Sequence, residues 1–466
     1  MRYQPKQLIP YFGYDNLYRF FAKVEIANLQ VLADIGIIPK TEIMLLTDEL
    51  IALLLNIATT KVDKTEKEIT HHDVRAWVKE AQKIVDKKIG KWIHVLLTSY
   101  DPLDTGRILQ YLWAYNNVLK PSINEAIVEL AHLVKRFSKV LQIGRTHGQH
   151  ALPITVGFWL ATILYRVIYN ARKMESCSQE LVGKISGAVG AYNAQLGLGI
   201  AKKCGDKSFE RRVLEKLDLS PSPISTQILP PEPLAYFLHS CVMMSASFAQ
   251  LGRDARHLMR TEIAEFSEPF GKTQDGSSTM AQKRNPISFE SLEGFFVRSK
   301  NEFGKVLDTL ISEHQRDLVG SGPARDFPVI LVCLQSQLNK LLAKDQESKQ
   351  TFISRLNVNK EACRQNFEKS AHLILAEPLY IALQMAGYEN DAHNLVNHQL
   401  VTRATAEKRM LIEICKELAM HNDELAEALR NMPKEVMELL HNPENYTGFA
   451  AEKAEEIAEM ALSMAA

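Results

Sequence analysis

Polar and apolar positions along this chain recur mainly with the period of an α-helix, so a series of helices is predicted. The pattern in residues 17–36 ends at Gly36 with Pro39 just beyond, which is a typical helix stop. From Leu234 to Ile263 the apolar residues follow a repeat of about 3.5 residues over many turns, as in a long bundle helix. Long helices are predicted at residues 17–36, 41–58, 104–119, 121–141, 154–181, 234–263, 287–313 and 329–353.

The segments between these helices are predicted to be connectors and loops. Residues 59–69 are polar, and residues 143–150 form a Gly-punctuated loop before the next helix. Residues 183–233 are rich in glycine and proline, which predicts a loop-rich excursion, and a small hairpin within 183–210 remains open. Residues 357–466 are predicted to form shorter helices, with breaks at three prolines (Pro378, Pro433 and Pro443).

No run of alternating apolar and polar residues indicates strands, so the predicted class is all-α. The expected architecture is a central long-helix bundle with smaller helical regions at both ends. We predict an N-terminal helical domain over 1–103, a central bundle domain over 104–356 and a C-terminal helical domain over 357–466.

Composition limits the classes of partner. The chain has 466 residues, 46% of them hydrophobic and 24% charged, which is ordinary for a soluble globular protein with a large core. Its formal net charge is zero, so no global basic field recruits nucleic acid or anionic lipid. Any anionic ligand must therefore be held by local arginines and lysines.

Cysteine usage and the N-terminus bear on the compartment. The six cysteines are scattered without a C-x-x-C pair, which argues against a disulfide framework or a zinc site and fits a reducing environment. The first residues lack the apolar core of a signal peptide, and no uninterrupted apolar run reaches membrane-spanning length. We expect a cytoplasmic protein without a membrane partner.

One polar stretch, residues 274–286, combines hydroxyls, a cation and an amide between two long helical patterns. Gly276 lets the backbone turn freely, which predicts a mobile loop. A serine alkoxide, from Ser277 or Ser278, is a strong base that can remove a proton from carbon. Lys283, Asn285 and backbone N–H groups can hold the negative charge that then develops. A Ser/Gly connector with polar filler is the plainer alternative.

This stretch resembles the signature loop of the fumarase/aspartase superfamily of lyases, G-S-S-x-M-P-x-K-x-N-P. Seven positions match in order, and they are Gly276, Ser277, Ser278, Met280, Lys283, Asn285 and Pro286. Ala281 stands where the family normally has proline. The resemblance implies the superfamily's all-α fold with its long-helix central domain.

A second segment, residues 145–149, matches the R-T-H-G-Q of the same superfamily. The match includes Thr146, His147 and Gln149. A histidine can serve as a general acid near neutral pH, although a helix-capping imidazole is the plainer alternative. In the adenylosuccinate lyases, which the segment resembles, this histidine protonates the leaving nitrogen and the glutamine touches substrate. His150 replaces the usual proline.

Two further segments extend the resemblance. Thr98 and Ser99, followed by Asp101, look like the T-S-x-D whose hydroxyls bind the substrate carboxylate, although they are also ordinary helix N-caps. Tyr100 is bulkier than the Ser, Thr or Glu expected there. His71-His72-Asp73 lacks a third ligand at zinc spacing, and the resemblance assigns His72, Asp73 and also His94 to the nucleotide site instead.

Candidate phosphate ligands distinguish the adenylosuccinate lyases from sister lyases, because a ribose 5′-phosphate is held best by arginine forks and hydroxyls. Each arginine alone could form a surface ion pair. The segments that resemble this subfamily are Arg2-Tyr3, Arg316-Asp317-Leu318 with Ser321 and Arg325, Ser225-Thr226-Gln227-Ile228, Gly187-Ala188-Val189-Gly190, and Asn442 to Gly448. The resemblance therefore covers essentially the whole chain.

The resemblance implies a β-elimination that releases fumarate from adenylosuccinate, and from the succinyl-carboxamide ribotide of purine synthesis. It assigns the base to Ser277, the acid to His147, and stabilisation of the intermediate to Lys283 and Asn285. Ser278 and Met280 would contact substrate. No metal or organic cofactor is expected, since the substrate carboxylate spreads the carbanion charge. A homotetramer is expected, with three subunits contributing to each site.

Three alternative functions are compatible with the sequence. A sister lyase, acting on argininosuccinate or as a carboxymuconate cycloisomerase, would share the signature loop but not the phosphate ligands. A non-catalytic or weakened homologue could keep the fold, although Ser277, Lys283 and His147 are intact. A helical nucleic-acid-binding protein is disfavoured by the zero net charge.

Overall fold

Helices supply almost all of the regular structure, which confirms the all-α class. The computed structural model describes residues 4–270, 279–280 and 282–465. Up to the first hairpin the elements are α1 (Ile9–Phe12), α2 (Arg19–Asp34), α3 (Lys40–Ile43), α4 (Asp48–Leu55), α5 (Thr59–Thr65), α6 (Asp73–Ile84), α7 (Lys87–Gly90), α8 (Tyr100–Ala114), α9 (Lys120–Arg136), β1 (Leu141–Thr146) and β2 (Gln149–Thr155).

The second half of the chain continues the helical pattern. Its elements are α10 (Val156–Gln179), α11 (Asn193–Gly197), α12 (Phe209–Glu215), α13 (Glu232–Leu258), β3 (Phe266–Ser267), α14 (Ile287–Asp308), α15 (Pro328–Leu341), β4 (Asn357–Val358), α16 (Lys360–Ile374), α17 (Ala376–Met385), α18 (Ala392–Asn394), α19 (Val401–Glu407), α20 (Leu411–Ala419), α21 (Asp423–Asn431), α22 (Lys434–His441) and α23 (Ala450–Ala465).

The chain folds into two compact units. The first comprises Met1–Asn124, Tyr169–Ala246 and Gly294–Lys340, and the second comprises Glu125–Ile168, Ser247–Glu293 and Leu341–Ala466. Both units are therefore assembled from separate stretches of sequence. The division into domains over 1–103, 104–356 and 357–466 stays a prediction.

In the first unit, α2 packs closely against α8. Phe20 and Phe21 of α2 are buried, and the Phe21 ring meets Trp77 of α6 edge-on at a centroid distance of 4.8 Å. Gly106 of α8 permits the approach, because a Cβ there would lie 3.0 Å from the Phe21 backbone nitrogen. Burying each aromatic side chain contributes about 1.5–3 kcal/mol. This packing fixes α8, and the Thr98–Asp101 segment leads into its first turn.

In the second unit, the C-terminal helices share one apolar core. Leu379, Val396, Ile414 and Leu425 belong to this core and are fully buried. Ile143 of β1 is buried in the same cluster, so the base of the hairpin is attached to the C-terminal helices.

The strands β1 and β2 form an antiparallel hairpin, so the predicted loop over 143–150 is wrong. The register pairs Leu141 with Thr155 and Thr146 with Gln149, and it shifts between Ile143 and Arg145. A strand pair is stabilised by interactions between its two strands, and the polar and apolar pattern of one segment alone does not reveal this pairing. Strands β3 and β4 form a second, two-residue antiparallel pair.

The long predicted helices are present, with differences at their ends. The largest difference is at 329–353, where α15 ends at Leu341. The connector predicted at 59–69 is helical instead, because Thr59, Val62 and Thr65 lie three residues apart and are buried on one face. The helix predicted at 41–58 is divided into α3 and α4, and the hydroxyl of Thr47 caps α4 by accepting from the Leu50 N–H.

Helix α13 is long and apolar enough to cross a membrane by length and composition. However, 67% of its most apolar window is buried within the protein. This burial is what the core helix of a folded domain requires, and it accounts for the apolar sequence.

Candidate active site

The predicted site residues that the structure describes fall into two groups, one in each unit. The first unit contains His72, Asp73, His94, Thr98, Ser99, Gln227, Arg316, Ser321 and Arg325. The second unit contains Thr146, His147, Gln149, Met280, Lys283 and Asn285. Arg2, Tyr3, Ser277 and Ser278 lie outside the described residues.

A buried ion pair anchors the Thr98–Asp101 segment. Asp101 and Lys184 have fully buried side chains, and the Lys184 ammonium donates to the Asp101 carboxylate. The same carboxylate accepts from the backbone N–H groups of Ser186 at 3.1 Å, Gly187 at 3.3 Å and Thr98 at 2.8 Å. Removing one partner of such a pair typically costs about 3–5 kcal/mol, because it leaves a buried charge uncompensated. Two predicted motif segments are thus held together.

His94 is held by a buried carboxylate that the sequence analysis did not identify. Its backbone N–H donates to one Glu25 oxygen at 3.0 Å, and its ring Nδ1 lies 2.6 Å from the other. A carboxylate only accepts, so this geometry assigns the proton to Nδ1 and turns Nε2 away from Glu25. His94 has a φ of +67°, a left-handed conformation that is uncommon for residues other than glycine and clusters at functional sites.

Arg316 lies at the centre of a second constellation in the first unit. Its guanidinium carbon is 3.5 Å from the centroid of the Tyr100 ring, and its Nη1 donates to Gln227 Oε1 at 2.7 Å. The Tyr100 hydroxyl lies 3.2 Å from Ser321 Oγ. Gln227 is fixed in turn by its Nε2, which donates to the Ala188 carbonyl at 3.0 Å. The structure therefore brings together Gln227, Arg316 and Ser321.

His72, Asp73 and Arg325 share one electrostatic neighbourhood. His72 Nδ1 lies 3.2 Å from Asp73 Oδ1 at the start of α6. Burial and the Asp73 carboxylate raise the pKa of the Tyr18 phenol, and they also raise the pKa of the Glu66 carboxyl. The Arg325 guanidinium opposes both shifts. Tyr18 and Glu66 were not identified from the sequence.

A cavity of about 110 Å³ opens beside the Arg316 constellation in the first unit. Tyr100 and Ser321 line it together with Asp104 and Arg107. Burial raises the pKa of the Asp104 carboxyl, while Arg107 and the Leu229 N–H oppose that shift. The remaining wall is mostly apolar, from residues such as Leu234.

In the second unit, His147 lies at the tip of the β1–β2 hairpin. His147 and Gly148 form a two-residue turn with φ values of +54° and +77°. Both residues need the left-handed conformation in such a turn, which glycine adopts freely. Thr146 and Gln149 flank the turn as the last strand pair, and all four residues are exposed.

Below the tip, the hairpin is tied down by the buried carboxylate of Glu265. Arg145 donates to its two oxygens at 2.6 and 3.0 Å. Gln142 donates at 2.8 Å and Asn366 of α16 at 2.9 Å. Arg145 of the R-T-H-G-Q segment thus has a structural role, which the sequence analysis did not identify.

The described part of the signature stretch is a turn that leads into α14. The Lys283 backbone N–H donates to the Met280 carbonyl at 3.0 Å, and the Ile287 N–H donates to the Asn285 carbonyl at 2.9 Å. Lys283 is exposed, and Asn285 is half-buried. Met280, Lys283 and Asn285 are therefore neighbours along one turn.

Comparison with known proteins gives the family. A family model described as "Lyase" matches residues 24–298, which is more than half of the chain. An adenylosuccinate lyase of Pyrococcus horikoshii is 31% identical over 465 residues, covering 98% of this chain and 96% of the relative. The chain belongs to this lyase family. The resemblance found in the sequence is confirmed at that level.

Solved structures share the fold of this lyase. A fumarate lyase from Mesorhizobium sp. BNC1 superposes with a TM-score of 0.79 at 22% identity, covering 98% of each chain. A 3-carboxy-cis,cis-muconate lactonizing enzyme from Pseudomonas putida also gives 0.79 at 22% identity, covering 100% of this chain and 98% of the other. At this identity the likeness supports the fold alone.

The side chains that support the site of this lyase carry weaker sequence signals than those in its motifs. Glu25 interrupts the apolar run of the predicted helix 17–36, and a carboxylate at such a position signals a buried partner. Lys184 and Glu265 carry no comparable local signal, because their partners lie 83 and 120 positions away.

Proposed function

We propose that this lyase eliminates fumarate from adenylosuccinate to give AMP, and that it also cleaves the succinyl-carboxamide ribotide of purine biosynthesis. The observation that carries the proposal is the 31% identity to an adenylosuccinate lyase across nearly the full length of both chains. The constellation of Arg316, Gln227 and Ser321 supports it, because a nucleotide substrate brings a phosphate that such groups hold.

The reaction breaks one C–N bond. Ser277, as the alkoxide, removes the proton from the carbon that becomes one end of the fumarate double bond. Lys283 and Asn285 stabilise the negative charge that spreads onto the adjacent substrate carboxylate. The electron pair then forms the double bond, the C–N bond breaks, and His147 supplies a proton to the departing nitrogen. Because the substrate carboxylate holds the charge, no metal or organic cofactor takes part.

The remaining predicted residues bind substrate. Arg2, Tyr3, Arg316, Ser321 and Arg325 would hold the 5′-phosphate, and Thr98 and Ser99 a carboxylate of the succinyl group. The nucleotide would also contact His72, Asp73, His94, Thr146, Gln149, Gln227, Ser278 and Met280. The fixed Nε2 of His94 supports this role, because Glu25 leaves that nitrogen available to a ligand.

The assembly we propose is a homotetramer in which three subunits contribute to each site. Helix α13 has 27 residues and is about 40 Å long at 1.5 Å per residue. Rods of this length separate motifs that lie at their ends, and neighbouring subunits can bring such motifs together. We further propose that the enzyme works in the cytoplasm, with a small-molecule nucleotide and no nucleic acid or membrane as partner.

The proposal is tested by the ultraviolet change on adenylosuccinate cleavage by the purified protein. We expect AMP and fumarate in equal amounts from adenylosuccinate, and the carboxamide ribotide and fumarate in equal amounts from the succinyl-carboxamide ribotide. We expect no fumarate from argininosuccinate. Fumarate release from argininosuccinate alone would replace the proposal with a sister lyase. No turnover of any of the three substrates would favour a non-catalytic homologue.

A further inference from the structure

Tyr100 occupies a position where the family pattern leads one to expect a small or acidic residue, and the structure gives it specific contacts. It is the first residue of α8, directly before the buried Asp101. The Asp101 carboxylate holds the Thr98 N–H on one side and the Lys184 ammonium on the other. The Tyr100 backbone is therefore fixed, and so is the direction in which its ring leaves the helix.

The two ends of the Tyr100 side chain contact two predicted phosphate ligands. The face of the ring packs against the Arg316 guanidinium, with its carbon 3.5 Å from the ring centroid. The hydroxyl lies 3.2 Å from Ser321 Oγ. One side chain thus connects the Thr98–Asp101 segment with both Arg316 and Ser321.

The stacked guanidinium retains an unused donor. Arg316 Nη1 donates to Gln227 Oε1 at 2.7 Å. Arg316 Nε, in contrast, is buried and has no hydrogen-bond acceptor among the described residues. Stacking on the ring confines the guanidinium to one plane, so the direction of the Nε–H is set. A buried donor without an acceptor is unfavourable, and an anionic oxygen is the strongest acceptor it can find.

Ser321 completes the arrangement. When the Tyr100 hydroxyl donates to Ser321 Oγ, the Ser321 hydroxyl hydrogen is left to donate to a ligand. A planar cation and a hydroxyl donor that are held beside the same ring suit a tetrahedral oxyanion such as a phosphate monoester.

We propose that Tyr100 is a positioning residue that orients Arg316 and Ser321 toward the phosphate of the substrate. The inference rests on the proposed function and adds a residue to it. Tyr100 acts through Arg316 and Ser321, without itself contacting the reacting atoms. Its removal therefore affects recognition of the phosphate and leaves the elimination chemistry intact.

The test measures the substrate ratio, which is kcat/KM for adenylosuccinate divided by kcat/KM for its 5′-dephosphorylated form. We expect Tyr100→Leu to lower the ratio of the two values about tenfold, through KM and not kcat. Tyr100→Phe keeps the stacked ring and loses only the hydroxyl, so its ratio should fall about threefold. Combined with Arg316→Ala, Tyr100→Leu should lower the ratio no further than Arg316→Ala alone.

A matched control lies on the same helix. Trp113 of α8 carries the Lys23 ammonium 4.5 Å from its ring centroid, and it is 13 residues, or about 20 Å, from Tyr100. Trp113→Leu removes a comparable cation–π pair and should leave the substrate ratio unchanged. Equal losses on both substrates in Tyr100→Leu, a full additive effect with Arg316→Ala, or no loss would each overturn the inference.

The inference and the proposed function can fail separately. If the wild type does not cleave adenylosuccinate, the proposed function is wrong, and calorimetric titration with AMP and adenosine then tests Tyr100. Weaker AMP binding with unchanged adenosine binding in Tyr100→Leu supports the role in phosphate recognition. Equal weakening of both ligands, or no AMP binding by the wild type, overturns it.

Discussion

Glu25 illustrates how a single buried carboxylate can determine the chemistry of a site. It is 1% exposed, and it accepts two hydrogen bonds from His94, one from the backbone and one from the ring. The first bond helps to hold a left-handed backbone conformation, and the second sets which ring nitrogen carries the proton. His94 can therefore present Nε2, which points away from Glu25, to a ligand.

Glu25→Gln should separate these two effects. The two bonds use different oxygens of Glu25, and glutamine replaces one of these oxygens by an NH2 donor, so only one of the two His94 N–H groups keeps its acceptor. With the amide nitrogen facing Nδ1, the ring must adopt the other tautomer. We expect kcat/KM for adenylosuccinate to fall about 10- to 100-fold, because Nε2 then carries the proton, and the thermal midpoint to fall by about 1–3 °C, because a buried hydrogen bond is lost.

Glu80→Gln is the matched control for this prediction. Glu80 is also a mostly buried carboxylate of the first unit, bonded to Thr65 and Lys83, and it belongs to no predicted motif. We expect its kcat/KM to equal that of the wild type. Equal losses in the two variants, or full activity in Glu25→Gln, would show that His94 does not depend on this carboxylate.

At the scale of single elements, the β1–β2 hairpin is the feature that presents His147. Glu265 fixes its base from one side, and His150 fixes it from another, since His150 Nδ1 lies 2.7 Å from Ser370 Oγ of α16. Burial lowers the pKa of His150, and the charges of Arg145 and Lys369 lower it further, while Glu265 opposes them.

His150 should therefore make the hairpin sensitive to acid. Its pKa is lower in the folded state than the value of about 6.5 in the unfolded chain, so stability is complete above about pH 6.5 and decreases as the pH falls below it. We expect His150→Gln to reduce the fall in thermal midpoint between pH 7 and pH 5 by about 1–2 °C. His421→Gln changes an exposed histidine and is the control, so it should keep the pH dependence of the wild type. The same pH dependence in wild type and His150→Gln would contradict the prediction.

The observed elements also show which structures a local sequence pattern can predict and which it cannot. The helices predicted at 17–36 and 234–263 correspond to Arg19–Asp34 and Glu232–Leu258, because their apolar repeat is local and long. The hairpin was missed, because each of its strands is stabilised by pairing with the other. In addition, its turn has the pair His147-Gly148, which is less common there than Asn-Gly or Asp-Gly. The helix at Thr59–Thr65 was missed because its buried face consists of two threonines and one valine.

At the scale of the whole molecule, the motifs could be recognised in the sequence, whereas the buried side chains that hold the motif segments in place could not. A resemblance carried by local motifs identifies residues such as His147 and Lys283 one segment at a time. The pairing of Asp101 with Lys184 connects segments 83 positions apart, and only the fold brings them together. Membership of the lyase family was predictable because signature segments occur along the whole chain.

The central claim is that Ser277 acts as the base and that His147 of a neighbouring subunit acts as the acid. Coexpressing the Ser277→Ala and His147→Ala variants, each inactive alone, tests it most directly. Mixed tetramers should recover about one quarter of wild-type fumarate release, because a quarter of the sites then combine an intact Ser277 with an intact His147 from another chain.

A second mixture provides the control for this measurement. Ser277→Ala and Lys283→Ala alter the same signature stretch, so every copy of that stretch lacks one group and no activity should return. Recovery in the first mixture and none in the second is the result that we predict. No recovery in the first mixture, with mixed tetramers verified by mass, would contradict the shared acid–base pair.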